Sequence, residues 1–197
     1  LRAGLHIYVR EGSGAKNLET LIKTMLDAGV CLDRCAFCTD DKHVEEIRKE
    51  GHISTCIRKA IALGVPVAKA YKMGSYQAAE FYGLKNYGAI GAGYRADIVF
   101  LDDLEQVRPL DVMKDGRILT EEDYAKDYSV PVPDELLHTV HVGEVTKEKI
   151  RLSCDGKTDV IQMNPHQIVT THLVEEVPTE NGYFKSDGVY NKICVVE

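Results

Sequence analysis

The sequence has no apolar run of 18 residues, so it lacks the ordinary signature of a membrane-spanning helix. Its first residues, LRAGLHIYVREGS, contain neither an initiating Met nor the apolar stretch of a signal peptide, and we expect a piece of a longer polypeptide. Basic runs are missing, and the net charge is −7 with the acidic excess in residues 121–197. We therefore predict no membrane partner and no nucleic-acid partner.

Familiar catalytic and cofactor motifs are also missing. The seven histidines form no H-x-H or H-E-x-x-H pair, and no Walker A or Rossmann glycine pattern occurs. The six cysteines do not resemble the disulfide framework of a secreted protein, which favours a reducing cytoplasm. These absences argue against a self-contained zinc site of the usual kind and against the common nucleotide-binding loops.

The hydrophobic pattern of the first half alternates between strand and helix periods. It predicts strands at 5–9 and 35–40 and helices at 16–28, 53–63 and 67–82. Strands alternating with helices are typical of an α/β fold with a parallel sheet. In such a sheet the carboxyl ends of neighbouring strands lie at one edge, and polar residues follow both predicted strands.

The second half has a different character. It predicts a β run at 96–102 and a hairpin at 111–119 that turns at Asp115-Gly116. Residues 121–137 are acidic and contain two prolines, which predicts an exposed linker. Beyond it, alternating β-branched residues predict a β-rich unit over 138–197, with strands at 138–142, 149–154, 159–163, 167–177 and 190–197 and turns at 155–156 and 181–182.

The stretch CLDRCAFC, residues 31–38, offers an iron–sulfur alternative. Cys31, Cys35 and Cys38 have the C-x3-C-x2-C spacing of radical S-adenosylmethionine enzymes, but a cluster needs its cysteines on a loop. Cys35 and Cys38 lie three apart within a predicted strand, so their side chains point to opposite faces. We expect them to be small buried hydrophobic residues.

Asp40 and Asp41 follow the second predicted strand, and two interpretations are open. A carboxylate at the carboxyl end of a barrel strand can bind a divalent metal and take a proton from water. Alternatively, one of the pair caps the next helix, whose first turn would carry Glu45 and Glu46. The residue pattern alone favours the helix cap.

Arg10, Glu11 and Ser13 hold the matching place after the first strand, beside Gly12 and Gly14. The two glycines would let the backbone approach a ligand closely, although a plain surface turn has the same composition. Two polar clusters at the same end of two successive strands favour a functional site.

Several segments together resemble bacterial and archaeal adenine deaminases of the amidohydrolase superfamily. They are YVREGSGAKNLETL, CTDDKH, EGHISTCIRKAIALGV, AAEFYGLKNYGAIGAGYRADIVFLDDLE and VMKDGRIL. The resemblance runs through residues 5–119 and, more weakly, through 131–197. It implies the last βα units of a TIM-like barrel at 1–88, a small β-sandwich segment at 89–120, the linker, and the start of a further β-rich domain at 138–197.

The resemblance also implies a reaction, the metal-dependent hydrolysis of adenine to hypoxanthine and ammonia. Asp40 would ligate the metal, Mn²⁺ or Fe²⁺, and shuttle a proton to the leaving amine. Arg10, Glu11, Ser13 and Asp41 would orient the purine, the metal shell or the loop. Most metal ligands would lie outside this chain, which would hold about two of the eight barrel strands, so the piece alone should be inactive.

Other interpretations stay open at this stage. The general amidohydrolase ending equally suits a deacylase or an imidazolone hydrolase, and a non-catalytic β-rich module for contact between subunits is a different class again. The expected partners are adenine, the remainder of the same polypeptide and a second copy in a homodimer.

Overall fold

The computed structural model describes residues 3–126, 129–165 and 167–195. These residues form two compact units, one largely within 3–126 and the other largely within 129–195. No helix in the described part of the chain is long and apolar enough to cross a membrane.

A parallel strand pair forms the centre of the first unit. Strand β1 (Ile7–Arg10) and strand β2 (Cys35–Cys38) pair in parallel, with Arg10 opposite Cys38. Helix α1 (Leu18–Asp27) connects them. The predicted α/β arrangement is confirmed here, and because the strands are parallel and in register, the residues that follow them emerge at one edge.

Four helices follow the strand pair. They are α2 (Val44–Glu50), α3 (Ile53–Ala62), α4 (Val67–Gly74) and α5 (Tyr76–Phe81). The largest fully buried side chains of the unit come from the strands and from the inner faces of α1, α3 and α4: Val9, Leu18, Ile22, Cys35, Cys56 and Met73. This core holds β1 and β2 against the helices and so supports the loops at their carboxyl ends.

The predicted single helix over 67–82 is wrong, because the helix breaks at Ser75. Ser75 takes φ −140° and ψ −81°, outside the helical region, and its hydroxyl donates to the carbonyl of Gly88 at 2.9 Å. Gly74 packs so closely on α3 that an added Cβ would lie 2.7 Å from Ile57 Cδ1. Tertiary contacts therefore override the local helical period.

An antiparallel sheet follows the helices. Strands β3 (Ile98–Leu101), β4 (Pro109–Lys114) and β5 (Arg117–Ile118) lie in the order β3-β4-β5. The predicted turn is present, with Asp115 and Gly116 at φ 50° and 78° as a tight hairpin requires. This is a single three-stranded sheet, and the sandwich stays a prediction.

The predicted linker over 121–137 contains more structure than expected. Its described residues include two short helices, α6 (Glu121–Ala125) and α7 (Asp134–Leu137), neither with a buried residue. A capping box between Thr120 and Asp123 explains why α6 forms in an acidic, exposed segment. Residues 127 and 128 lie outside the described part.

Besides α7, the described residues of the second unit form two antiparallel hairpins, β6 (Lys157–Met163) with β7 (Thr170–Glu176) and β8 (Thr179–Glu180) with β9 (Tyr183–Phe184). The strands predicted at 138–142 and 149–154 are wrong, apart from an isolated bridge at Ser153. Alternating residues without a pairing strand do not form a sheet. No strand forms over 190–195, and the last two residues lie outside the description.

Candidate active site

The candidate site lies at the edge where β1 and β2 end. Arg10 is the last residue of β1, and its Nη1 donates to Asp40 Oδ2, two residues beyond β2. Both side chains reach solvent, with 27% of Arg10 and 51% of Asp40 exposed. Asp40 has φ +49°, a left-handed conformation that is uncommon outside glycine and concentrates at functional sites.

Asp41 binds the loop that follows β1. Its Oδ1 accepts from the backbone N–H of Ser13 at 3.1 Å, and its Oδ2 accepts from that of Gly14 at 2.8 Å. The bond from Gly14 is the main cause that lowers the pKa of Asp41. The N-cap residue of α2 is His43, and no side chain caps that helix. The helix-cap interpretation therefore fails for both aspartates.

Ser13 connects the same loop to α2. Its hydroxyl donates to Glu46 Oε2 at 2.7 Å and accepts from the backbone N–H of His43 at 2.9 Å. The side chain is half-buried. Ser13 is therefore part of the contact between two loops, rather than a free hydroxyl.

Glu11 has a different environment from its neighbour Arg10. It is only 3% exposed, forms an ion pair with Lys59 of α3, and accepts from the N–H of Leu18 at 3.4 Å. Adjacent residues of an extended strand point to opposite sides, which explains why Arg10 and Glu11 have separate partners. The structure thus brings Arg10, Ser13, Asp40 and Asp41 together, with Glu11 held against α3.

The sequence interpretation missed Lys42 and gave Glu46 only a helix-cap role. The side chain of Lys42 is 2% exposed, with its Nζ 2.7 Å from Glu50 Oε2 and 3.2 Å from Glu46 Oε2. Burial opposes its charge, but the hydrogen bonds to Glu50 and Glu46 outweigh burial and raise the pKa of Lys42. The bond from Ser13, supported by Lys42 and Lys16, lowers the pKa of Glu46 to about 2. The four-residue spacing of Lys42 and Glu46 in the sequence could have indicated this ion pair.

The described residues contain no cluster of three histidines, cysteines, aspartates or glutamates that could hold a metal. Cys35 is buried, Cys38 is half-buried and Cys31 is exposed. Burial is the main cause that raises the pKa of the Cys35 and Cys38 thiols, which opposes thiolate ligation. The half-exposed carboxylate of Asp40 is a possible oxygen ligand at this edge.

A larger apolar groove, of about 860 Å³, lies elsewhere in the first unit. It is lined by residues of α3, α4 and β3 with the segments around them, including Ile53, Ile57, Tyr71, Ile98 and Leu101. None of the site residues proposed from the sequence lines it. We therefore place the candidate site at the strand edge, where the charged groups converge, and not in this apolar groove.

Sequence comparison finds one family model and several relatives that match this chain. The amidohydrolase family model matches residues 3–119. Adenine deaminase from Desulfitobacterium hafniense is 39% identical over 100% of this chain and 34% of its own length. Adenine deaminase from Clostridium acetobutylicum is 37% identical over 100% and 35%, and adenine deaminase 2 from Carboxydothermus hydrogenoformans is 36% identical over 94% and 33%. This chain thus spans about a third of the length of these relatives.

Proposed function

Since this chain belongs to the amidohydrolase family, we propose that it is part of an adenine deaminase, comprising the last units of the barrel and the region that follows them. The complete enzyme would hydrolyse adenine to hypoxanthine and ammonia. The similarity to adenine deaminases along the whole chain carries this proposal. The Arg10–Asp40 pair at the carboxyl edge of two parallel strands supports it, because barrel enzymes place their reacting groups there.

A divalent metal is part of this proposal, with Mn²⁺ or Fe²⁺ as the candidates. The exposed carboxylate of Asp40 fits as one hard oxygen ligand, and the described residues contain no complete ligand set. When bound, such a metal lowers the pKa of a water molecule and so supplies a hydroxide at neutral pH. The remaining ligands would come from the preceding portion of the same polypeptide.

Asp40 is the proposed proton carrier. One water is consumed: its oxygen bonds to C6 of the purine, and the C6–N bond to the amino group breaks. Asp40 would accept a proton from the attacking water and pass it to that amino group, which leaves as ammonia. Arg10 would hold the Asp40 carboxylate in one orientation through their ion pair.

The loop residues would orient the substrate and the carboxylate. Asp41 and Ser13 fix the loop after β1 through hydrogen bonds. Glu11, the first residue of that loop, is held to α3 by its ion pair with Lys59. We propose that the loop places backbone and side-chain groups around the purine ring, with these three residues acting mainly through its shape. This role differs from direct contact, and it follows from the partners that each side chain already has.

The proposed enzyme acts in the cytoplasm, either as a monomer or as a homodimer, with neither membrane nor nucleic acid as a partner. The six cysteines are all free, which suits a reducing compartment. The isolated 197-residue chain should be inactive, because its described residues supply two parallel strands, whereas a complete barrel needs eight.

The test is hydrolysis by the polypeptide extended to the length of its relatives, supplied with Mn²⁺. It is followed for every substrate as loss of substrate by chromatography, and for adenine also as ammonia release. Adenine, an N-acetyl amino acid and an imidazolone substrate are compared at equal concentration, with the isolated chain as a control. We expect turnover of adenine alone, by the extended protein alone. Preference for either other substrate would replace the adenine assignment with a different amidohydrolase activity, and strong adenine turnover by the isolated chain would refute its status as an incomplete enzyme.

A further inference from the structure

Two loops at the candidate site hold each other by reciprocal hydrogen bonds. We call residues 11–16 the first loop and residues 39–43 the second loop. Asp41 of the second loop accepts the N–H groups of Ser13 and Gly14 in the first loop. In return, the hydroxyl of Ser13 accepts the N–H of His43 in the second loop. Arg10 precedes the first loop and Asp40 belongs to the second, so the ion pair between them lies beside this contact.

Glu46 of α2 completes the contact by taking the proton of Ser13. A serine hydroxyl has one proton to donate, and this proton goes to Glu46 Oε2 at 2.7 Å. With the proton directed to Glu46, a lone pair of the same oxygen is left to accept from His43. Without Glu46 the hydroxyl could rotate, and its bond to the second loop would lose its fixed direction.

Lys42 holds Glu46 in a way that ordinary surface pairs do not. The Lys42 side chain is almost wholly buried and lies between Glu46 and Glu50, whereas Lys23 and Glu19 on α1 form a pair more than half exposed. A buried ammonium group needs its carboxylates, because an unpaired buried charge is very costly. Exposed ion pairs contribute little to the stability of the fold. Glu46 is thus anchored by a buried charge as well as by Ser13.

We infer that Glu46 is a positioning residue of the deaminase site, anchored by Lys42 and acting through Ser13 to keep the two loops in register. The inference rests on the proposed function, since it concerns the same site. It assigns to α2 the task of holding the Arg10–Asp40 pair in its working geometry. Glu46 itself contacts neither Arg10 nor Asp40 in the described structure.

The test compares Glu46→Ala with Glu45→Ala in the extended polypeptide. Glu45 is the adjacent, exposed acid in the first turn of α2, so both changes remove one charge from the same helix end. Hydrogen exchange of the peptide covering 11–16 should be about tenfold faster in Glu46→Ala, and unchanged in the control. The kcat for adenine should fall about tenfold with little change in KM, since small misplacement of reacting groups is costly.

Two further variants separate positioning from general destabilisation. Glu46→Gln keeps an oxygen that can accept from Ser13 and should recover most of the lost kcat. The double variant Ser13→Ala with Glu46→Ala should have a kcat no lower than that of Ser13→Ala alone, because both changes remove the same hydrogen bond between Ser13 and Glu46.

The outcomes test the role of Glu46 and the proposed function separately. Equal exchange rates in Glu46→Ala and Glu45→Ala would overturn the inference whatever the activity, and so would faster exchange with an unchanged kcat. Faster exchange in an extended protein that does not act on adenine would refute the proposed function, while the role of Glu46 in holding the loops would be retained.

Discussion

Substitution of Gly12 by Ala perturbs the candidate site from inside its loop. An added Cβ at this position would overlap Asp41 Oδ1 and lie 3.0 Å from Asp41 Cγ and 3.2 Å from the carbonyl oxygen of Thr39. Nonbonded carbon atoms prefer about 3.5–4.0 Å. The carboxyl group must therefore withdraw by more than about 1 Å, because its Oδ1 overlaps the added methyl group more deeply than its Cγ does.

That withdrawal breaks the contact between the loops. The bonds from Ser13 and Gly14 to Asp41 are 3.1 and 2.8 Å long, and a retreat of this size takes them to or beyond the useful limit of a hydrogen bond. Misplacement of reacting groups by about 1 Å can cost about a hundredfold in rate. We expect kcat for adenine in the extended polypeptide to fall about 10- to 100-fold.

The assay is steady-state ammonia release, with Gly143→Ala as the matched control. An added Cβ at Gly143 meets nothing within 4 Å, so this variant should keep the parent rate. Adding Gly12→Ala to Asp41→Ala should cost little more than Asp41→Ala alone, because the clashing carboxylate is already gone. A Gly12→Ala enzyme that works at the parent rate would refute the role given to Asp41 and the loop.

Three further predictions concern the folded chain. Leu18→Ala should lower the free energy of unfolding by about 2–5 kcal/mol in a urea titration, since the side chain is fully buried, whereas Leu5→Ala should change it little; equal effects would contradict the assigned core. Iodoacetamide at pH 8 should modify exposed Cys31 within minutes and spare Cys56, because burial raises the pKa of the Cys56 thiol to about 12. Mass spectrometry of the labelled peptides measures the order of modification, and faster labelling of Cys56 would contradict this prediction. Glu46, with its pKa lowered to about 2, should contribute stability above about pH 4.5 that is lost as the pH falls towards 2. The free energy of unfolding of Glu46→Gln should therefore fall less on acidification than that of the parent. Parallel curves of unfolding free energy against pH would contradict this prediction.

The parallel strand pair and its polar edge could be predicted from the sequence for simple physical reasons. Strands buried on both sides are short apolar runs, and the first polar residue after each run marks its end. Arg10 and Asp40 therefore fell at the correct edge. The turn at Asp115-Gly116 was equally predictable, because few residue pairs adopt two positive φ angles readily.

Features that depend on distant partners could not be predicted. The break at Ser75 depends on Gly88 and on the packing of Gly74 against α3, which local helix propensity does not record. Asp41 faces the backbone of a loop about 28 residues earlier in the chain. The absent strands at 138–142 show the converse case, in which alternation was present but no pairing strand was available.

The central claim is that Asp40 carries protons in an adenine deaminase, and one measurement tests it most directly. Ammonia release from adenine with Mn²⁺ is compared for the extended polypeptide and its Asp40→Asn variant, with Asp27→Asn of the exposed face of α1 as the control. We expect a loss of kcat of at least about a hundredfold for Asp40→Asn, the range of a proton-transfer group, and no loss for the control. An Asp40→Asn enzyme within about threefold of the parent, well below that range, would show that Asp40 is not the proton carrier.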